Sequence, residues 1–225
     1  MRYNSPVVRV ERQPAGFRIE YRDGRTVRST AAARVIFTVP GATMRQIDIR
    51  PGLSAEKQRA FDRLSYYPGV RFLLQTKRRF WQAAGLSGSA RTDRATEIWD
   101  ATFDIPANRG ILAVSTRSDS ERGMATGVDL AADAFPAIRS EFEKGTQYHW
   151  STDPWARGAF ALYGPGQTML PAQLAAPENG LHFAGEHTSV WSGWMEGALE
   201  SGERAAREVL MAAHRAWPEP ADESR

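Results

Sequence analysis

The residue types best suited to hold a ligand are concentrated between residues 181 and 204, in the string LHFAGEHTSVWSGWMEGALESGER. Its apolar beginning, Leu181–Ala184, predicts a buried strand, and Gly185-Glu186 predicts a tight turn after it. Glycine lets the backbone approach a flat or charged ligand where a Cβ atom would clash. A helix is predicted after Trp191–Trp194, and a helix N-terminus offers unpaired N–H groups and partial positive charge. The string therefore predicts a strand, a ligand-facing loop and a helix whose N-terminus points at an anion or a polar ring edge.

The elements that position this string are predicted to be a mixture of strands and helices. Alternating apolar and polar residues indicate strands at Val7–Val10 and Phe17–Tyr21, and Asp23-Gly24 indicates a hairpin turn. Helical spacing over Leu53–Leu64 begins with Ser54 as a predicted N-cap. The same patterns predict strands at Arg34–Val39, Val70–Gln75, Ile98–Phe103, Ile111–Ser115 and Ala156–Tyr163, and helices at Asp129–Phe142 and Gly193–His214.

Composition and charge exclude several classes of protein. The 225 residues, 42% hydrophobic and 10% aromatic, suffice for one large or two small domains. A net charge of +3 with interleaved acids and bases predicts no nucleic-acid partner, since the basic cluster Lys77-Arg78-Arg79 is short. With no cysteine, and four histidines without zinc spacing, no disulfide and no metal site are predicted. No apolar run reaches membrane-spanning length and no signal peptide is recognisable, so we expect a soluble, cytoplasmic protein without a membrane partner.

The string that starts at Leu181 resembles the C-terminal FAD-binding signature of the flavin monoamine oxidase and L-amino acid oxidase family. That signature begins with an apolar residue, one residue of any type and F-A-G-E-x-T. After a short spacer it continues with W-x-G-[YW]-[MI]-E-G-A, and it ends with S-G-x-R-A-A. Every element of it is present here. The resemblance implies an α/β fold with mixed α+β parts, namely the C-terminal part of a two-domain FAD-dependent amine oxidase.

The resemblance also implies how the chain is divided. Residues 1–52 match a β-meander and returning strand of the FAD domain, residues 53–148 the substrate-binding domain, and residues 149–213 the C-terminal FAD-binding segment with its long helix. Residues 214–225 are expected to form a frayed tail. The family begins with a Rossmann βαβ unit that carries G-x-G-x-x-G, and this sequence has no such motif. We therefore expect either that a partner polypeptide supplies this N-terminal half or that the chain is a fragment. We also expect the protein to be oligomeric.

The cofactor implied by the resemblance is FAD, and its contacts are assigned to Gly185, Glu186, Thr188, Gly193, Trp194, Met195 and Glu196. Glu186 could instead cap a strand or a helix, and Met195 could be a core residue. Ala159 stands where monoamine oxidases place the cysteine that bonds FAD. Because the chain has no cysteine, the flavin is expected to bind non-covalently.

The substrate site implied by the resemblance has two aromatic walls, Phe160 and Trp194, with Gly193 beside the second. Such walls guide an apolar amine and exclude water, although Phe160 could also be a buried strand residue. Val114 falls near the tyrosine with which L-amino acid oxidases bind the substrate carboxylate, and valine cannot make that hydrogen bond. Val114 therefore favours an amine and Gly193-Trp194 an amino acid, so the substrate class stays open.

Arg71 is the third residue, with Phe160 and Trp194, to which the resemblance assigns a catalytic position. It lies nine residues before Phe80, where the family usually has a lysine that holds a water against the flavin N5. Arginine is forked and always charged, so it could hold a water or an anion, or it could simply face outward from a strand.

The implied activity is FAD-dependent oxidative deamination. An α-hydrogen of a primary or secondary amine, or of an L-amino acid, passes to the flavin, the product imine is hydrolysed, and dioxygen reoxidises the flavin with release of hydrogen peroxide. As the C-terminal half of such an enzyme, the chain would require a G-x-G-x-x-G half. The alternative is a non-catalytic remnant or interaction subunit of a flavoprotein complex.

Overall fold

Mixed α/β structure runs through residues 1–118 and 123–216, the ranges that the computed structural model describes. In chain order the strands are β1 (Val7–Gln13), β2 (Gly16–Asp23), β3 (Thr26–Ala32), β4 (Val35–Phe37), β5 (Asp48–Arg50), β6 (Ser65–Tyr67), β7 (Val70–Thr76), β8 (Glu97–Asp100), β9 (Gly110–Thr116), β10 (Phe142–His149), β11 (Phe160–Leu162) and β12 (Leu181–Phe183). The helices are α1 (Gly41–Met44), α2 (Ala55–Arg63), α3 (Phe80–Ala83), α4 (Met124–Ala132), α5 (Ile138–Glu141), α6 (Leu170–Ala175) and α7 (Met195–Ala216). The predicted α/β class is confirmed. Of the tail predicted over residues 214–225, residues 214–216 belong to α7, and residues 217–225 lie outside the described residues.

The chain is organised as two units. Unit 1 combines Met1–Tyr66 with the chain from Phe160 onward, and unit 2 is Tyr67–Ala159. The segment 53–148, predicted as a substrate-binding domain, includes α2 from unit 1 and most of unit 2. Within the described ranges, no helix combines the length and the apolar character needed to cross a bilayer.

A four-stranded sheet in the order β3-β2-β1-β5 opens unit 1. Strands β1 and β2 are antiparallel with Val10 opposite Ile19, and β3 pairs with β2 after a turn in which Gly24 has a φ of +60°. The hairpin predicted from Asp23-Gly24 is confirmed, because glycine adopts a positive φ without strain. Val10 and Phe17 are buried, so the alternating pattern marks the face of the sheet that packs on the core.

A second sheet of unit 1 joins β4 to β12 in parallel. Leu181 lies opposite Val35 and Phe183 opposite Phe37, and the two phenylalanine rings stack with centroids 5.7 Å apart. Both strands are found where the apolar runs predict them. All three residues of β12 are buried, as expected for a parallel strand covered on both faces.

Helix α2 begins where the sequence predicts, because the Ser54 hydroxyl accepts a hydrogen bond from the Lys57 N–H at 3.1 Å. The Lys57 side chain turns inward and lies 4.3 Å from the centroid of the Phe183 ring. Burial lowers the pKa of Lys57 to about 8. Its amino group donates to three carbonyl oxygens at the C-terminal end of α6, those of Gln173, Leu174 and Ala176.

Unit 2 contains a four-stranded sheet in the order β10-β7-β9-β8, and one face of this sheet is packed. Val70, Phe72 and Leu74 alternate along the central strand β7 and are buried. Gly127 of α4 packs on the Phe72 ring, where an added Cβ atom would come within 2.7 Å. The strand predicted over Val70–Gln75 is confirmed.

The helix predicted over Asp129–Phe142 is wrong. Helix α4 ends at Ala132, α5 begins only at Ile138, and Phe142 already belongs to β10. Pro136 lies in the gap; it has no N–H and restricts the residue before it, so a continuous helix is broken there. Strand β10 was missed because it lies at an edge of its sheet, where most of its residues are exposed and no apolar alternation marks them.

The strand predicted over Ile98–Phe103 is three residues too long at its C-terminal end. The Asp100 carboxylate accepts hydrogen bonds from the N–H and the hydroxyl of Thr102, at 2.8 and 2.7 Å, and folds the chain into a turn. Its other oxygen accepts the indole N–H of the buried Trp81 at 3.0 Å. Phe103 is consequently left exposed beyond the end of β8.

We expect Lys57→Met to lower the free energy of unfolding by about 2–4 kcal/mol, since it leaves buried carbonyl oxygens without their donor. The measurement is urea unfolding followed by circular dichroism and tryptophan fluorescence. Lys144→Met is the matched control, because Lys144 is exposed on β10 and its loss should change stability by less than about 0.5 kcal/mol. Equal effects of the two substitutions would contradict a stabilising role for the contacts of Lys57 with α6.

Candidate functional site

The turn after β12 is shaped by Gly185. Its φ is +121°, and an added Cβ atom would lie 2.6 Å from the His187 ring, so only glycine fits. The Gly185 N–H donates to the Ser201 hydroxyl of α7 at 2.9 Å. A 3₁₀ turn over Glu186–Thr188 follows, and the Thr188 hydroxyl donates back to the Gly185 carbonyl at 2.9 Å. The first half of the signature therefore forms a tight corner that is fixed to α7.

The Glu186 carboxylate connects two segments that are distant in sequence. One oxygen accepts the N–H of Ala161 in β11 at 2.9 Å. The other accepts the Ser192 hydroxyl at 3.0 Å and the Gly193 N–H at 2.7 Å. With these contacts Glu186 acts as a capping residue, which is one of the two roles that the sequence left open for it. We call this arrangement the Glu186 junction.

The turn that leads into α7 is set by two glycines. Gly193 has a φ of +81°, and an added Cβ atom there would lie 3.3 Å from the Phe160 ring. At Gly197 an added Cβ atom would lie 2.4 Å from the Trp191 carbonyl oxygen, so the first turn of α7 packs directly on that carbonyl. Helix α7 consequently begins at Met195, two residues after the predicted start at Gly193.

An apolar rim is exposed around the start of α7. Trp194 is 65% exposed and Met195 is 80% exposed, so neither is a core residue of the described chain. Val190, Trp191 and Leu199 are exposed beside them. Phe160 is only half-buried, and its ring lies against Gly193, the residue before Trp194. Unit 1 therefore brings together Phe160, Gly193 and Trp194, the residues predicted to line a substrate cage.

A partly buried polar network connects the corner to α7 and was not predicted from the sequence. The Arg204 guanidinium donates to the Phe183 carbonyl at 2.9 Å, to the Thr188 hydroxyl at 3.0 Å and to Glu208 at 2.8 Å. Glu208 also contacts the Nδ1 atom of the buried His182 at 2.9 Å. The only sequence signal for it is the S-G-x-R element, in which Arg204 is the arginine. Thr188, predicted to lie near the cofactor, is buried, and its hydroxyl takes part in this network.

Buried titratable groups near the Glu186 junction are held in their neutral forms. Burial lowers the pKa of His187 to about 4, so its imidazole is uncharged at neutral pH. Burial raises the pKa of the phenols of Tyr66 and Tyr163 well above the usual range, with a smaller contribution from the nearby Glu186 charge. Tyr66 accepts the Gly41 N–H at 2.7 Å, and Tyr163 donates to the His187 carbonyl.

The remaining predicted site residues, apart from Glu196, lie in unit 2. Val114 is fully buried among the core residues of the β7-β9 sheet and has no surface to offer a substrate. Arg71 is exposed on β7, and its guanidinium carbon lies 4.5 Å from the centroid of the Trp99 ring. Ala159 packs beside Gly69, whose added Cβ atom would lie 2.7 Å from the Ala159 side chain. Glu196, in unit 1, is the acidic residue in the first turn of α7.

Comparison with known sequences gives a family match over nearly the whole chain. A family model described as flavin containing amine oxidoreductase matches residues 1–210. Over 198 residues the chain is 35% identical to YobN of Bacillus subtilis (strain 168), provisionally named an L-amino-acid oxidase, with 80% of this chain and 41% of YobN covered. Over 214 residues it is 30% identical to the nicotine dehydrogenase of Pseudomonas putida (strain DSM 28022 / S16), with 93% of this chain and 42% of that protein covered.

Comparison with solved structures gives the same fold. A wild-type putrescine oxidase bound to putrescine superposes with a TM-score of 0.81 at 22% sequence identity, over 92% of this chain and 49% of that one. The chain thus spans less than half the length of each of these three proteins.

We expect the His187 imidazole to protonate only near pH 4 in the folded chain, because burial lowers its pKa to about 4. A histidine in an unfolded chain titrates near about 6.5, so between these values the unfolded state binds more protons. The free energy of unfolding should therefore fall by about 3 kcal/mol on this account as the pH drops from about 7 to about 4.

The measurement for His187 is urea unfolding as a function of pH, in the wild type and in His187→Gln. The difference between the two isolates the histidine from the carboxylates, which also titrate below pH 5 or so. Parallel pH profiles for the two proteins would contradict the prediction.

Proposed function

The chain belongs to the flavin-containing amine oxidoreductases, and on this basis we propose that it supplies the substrate-binding unit and the C-terminal flavin-binding segment of an FAD-dependent amine or amino-acid oxidase. The observation that carries the proposal is the Glu186 junction, which holds Phe160 beside Gly193 and leaves Trp194 and Met195 exposed at the start of α7. The proposed reaction oxidises the C–N bond of the substrate to an imine, which water hydrolyses, and reduces dioxygen to hydrogen peroxide.

The start of α7 has the properties that an isoalloxazine ring requires. The backbone N–H groups of its first turn have no acceptor within the helix, so they can donate to the polar edge of a ring. The side chains of Trp194 and Met195 offer exposed apolar surface to the ring face. Bound FAD would supply the two-electron chemistry of the reaction. With no cysteine in the chain, we propose that it is bound non-covalently.

The chain's own side chains are proposed to orient the substrate and exclude water. The Phe160 ring lies against Gly193 and the exposed Trp194 follows it in the chain, and aromatic surface of this kind attracts the alkylammonium group of an amine as well as its apolar part. Glu186 has both carboxylate oxygens engaged by protein donors, so we assign it the positioning of Phe160 and Gly193 and no direct contact with the cofactor.

A further stretch of polypeptide, with the G-x-G-x-x-G motif, is proposed to complete the FAD site. Two properties of unit 1 support it. The parallel pair β4-β12 has no third strand within the described ranges, and two-stranded sheets are marginal by themselves. The rim of Val190, Trp191, Trp194, Met195 and Leu199 is an exposed apolar patch of the kind that marks an interface.

We expect this chain alone to retain little FAD through gel filtration and to self-associate in light scattering. The reason is that the pyrophosphate loop normally supplies much of the recognition of the dinucleotide. Co-expression with the N-terminal half of a family member should give a complex with flavin absorbance and peroxide production on amines or amino acids. Stoichiometric FAD on a monomeric isolated chain would contradict the partner proposal, and a complex without flavin would favour the non-catalytic alternative.

In the assembled enzyme we expect Trp194→Ala to lower kcat/KM at least about tenfold, which corresponds to about 1.4 kcal/mol of transition-state binding. The melting temperature should change little, because Trp194 is largely exposed in this chain and fills no core cavity. Flavin content should fall less than kcat/KM, because the other proposed flavin contacts remain. The matched control is Leu210→Ala, an exposed apolar residue further along α7. Unchanged turnover in a flavin-loaded Trp194→Ala enzyme would refute its assignment as a substrate wall.

A further inference from the structure

A groove with a volume of about 350 Å³ lies between α6 and α7 in unit 1. One wall is made of small apolar residues in and just after α6, and the other of charged residues of α7. These residues are Ala172, Ala175 and Ala176 on the first wall and Glu200, Arg204 and Glu208 on the second. Ala172 and Ala176 are exposed, so the groove is open to the surface on the side of α6. We call it the α6–α7 groove.

The α6–α7 groove reaches the free edge of strand β12. Successive carbonyl groups of a strand point to opposite edges. The Gly180 carbonyl accepts the Val35 N–H beside β4 at 3.2 Å, so the Phe183 carbonyl, three residues later, points away from β4. That carbonyl accepts the Arg204 guanidinium at 2.9 Å. Within the described ranges β12 has no second strand at this edge, and one isolated bridge covers only its beginning.

Glu200 is a carboxylate that faces the groove without a cation. Arg204 follows it by one helical turn, the spacing at which an ion pair normally forms on a helix. The Arg204 guanidinium is instead engaged by Glu208 at 2.8 Å and by groups at and after the end of β12. Glu203, the next acid of α7, pairs with Arg207 at 3.1 Å. No ion pair of the described residues includes Glu200, which is exposed.

The position and the chemistry of the groove indicate what covers it. Strand β12 is parallel to β4 and buried on both faces, which is typical of the interior of a larger parallel sheet. The chain spans less than half the length of the relatives it matches, so those proteins contain further polypeptide that can cover this edge. Val190 is 88% exposed and belongs both to the groove and to the apolar rim at the start of α7. A small cation at Glu200 would leave the alanine wall and the edge of β12 uncovered.

We propose that the α6–α7 groove is the docking surface for the polypeptide that carries G-x-G-x-x-G, and that this polypeptide places a lysine or an arginine against Glu200. The inference rests on the proposed function for the existence of the partner, and it adds the place and the charge by which the partner is recognised. Docking shields the new ion pair from water. A partner that brings an acid to Glu200, or no charge, is then disfavoured.

The first test measures whether docking covers the groove, and it needs neither flavin nor turnover. The chain has no cysteine, so a single introduced thiol reports on its own surroundings. Ala172→Cys places the thiol in the groove, and Val27→Cys, the matched control, places it on the exposed edge strand β3. We expect co-expression with the N-terminal half of a family member to slow maleimide labelling of Ala172→Cys at least about tenfold, because a covered thiol is not accessible to the reagent. Labelling of Val27→Cys should not change.

The second test measures the charge preference as the affinity between the chain and the same N-terminal half. We expect Glu200→Lys to weaken association at least about tenfold and Glu200→Gln to weaken it less, since only lysine adds repulsion. Glu203→Lys is the matched control on the same helix, and it should change the affinity by less than about twofold, because Glu203 belongs to an exposed surface pair. Changing the opposing lysine or arginine of the partner to glutamate should restore its binding to Glu200→Lys.

Four results would overturn the proposal. They are the absence of any complex, labelling of Ala172→Cys that is as fast in the complex as in the free chain, equal effects of Glu200→Lys and Glu203→Lys, and protection of Ala172→Cys by self-association alone, which would make the occupant a second copy. Flavin content and peroxide production test the proposed function separately. A complex that protects Ala172→Cys but holds no flavin would keep the docking proposal and overturn the proposed function. An active, flavin-loaded complex that leaves Ala172→Cys unprotected would do the reverse.

Discussion

The Glu186 carboxylate is the interaction on which the geometry of the candidate site depends. Its two oxygens accept three hydrogen bonds, from Ala161 in β11 and from Ser192 and Gly193 before α7. Hydrogen bonds to a charged group contribute about 1.5–3 kcal/mol each, more than neutral ones. Phe160 and Trp194 adjoin the residues held in this way, so the two side chains that we propose as aromatic walls are positioned by a residue that is part of neither.

The glycines of the signature serve the packing of the chain itself. The sequence suggests that they make room for a ligand, since glycine permits close backbone approach. In the structure the space beside Gly185 is filled by His187, the space beside Gly193 by Phe160, and the space beside Gly197 by the Trp191 carbonyl. The pattern W-x-G-W-M-E-G is therefore the spacing that folds a tight corner onto the start of a helix, and it leaves the Trp194 and Met195 side chains exposed.

Local rules predicted the parts of the fold in which local and tertiary preferences agree. The β1-β2 hairpin follows from alternation and Gly24, and the start of α2 follows from Ser54. The prediction was wrong at 129–142, where the apolar spacing continues past Pro136 although the helix does not. It also missed β10, because an edge strand with exposed residues carries no periodic signal. At the candidate site, the hydrogen bonds that Glu186 accepts from three protein donors depend on tertiary contacts, which the spacing of the motif does not predict.

Unit 1 combines well-paired cations in its interior with an exposed apolar rim, and the contrast has a physical consequence. The Lys57 amino group donates hydrogen bonds to carbonyl oxygens at the end of α6. The Arg204 guanidinium donates hydrogen bonds to the end of β12, to Thr188 and to Glu208. Such satisfied buried groups strongly favour one arrangement, because any other leaves a charge without partners. The corner can therefore hold its shape with Trp194 and Met195 bare. A rim that is ordered before it is covered loses little conformational freedom on association, so its apolar area is available to drive the docking of the cofactor and the polypeptide proposed above.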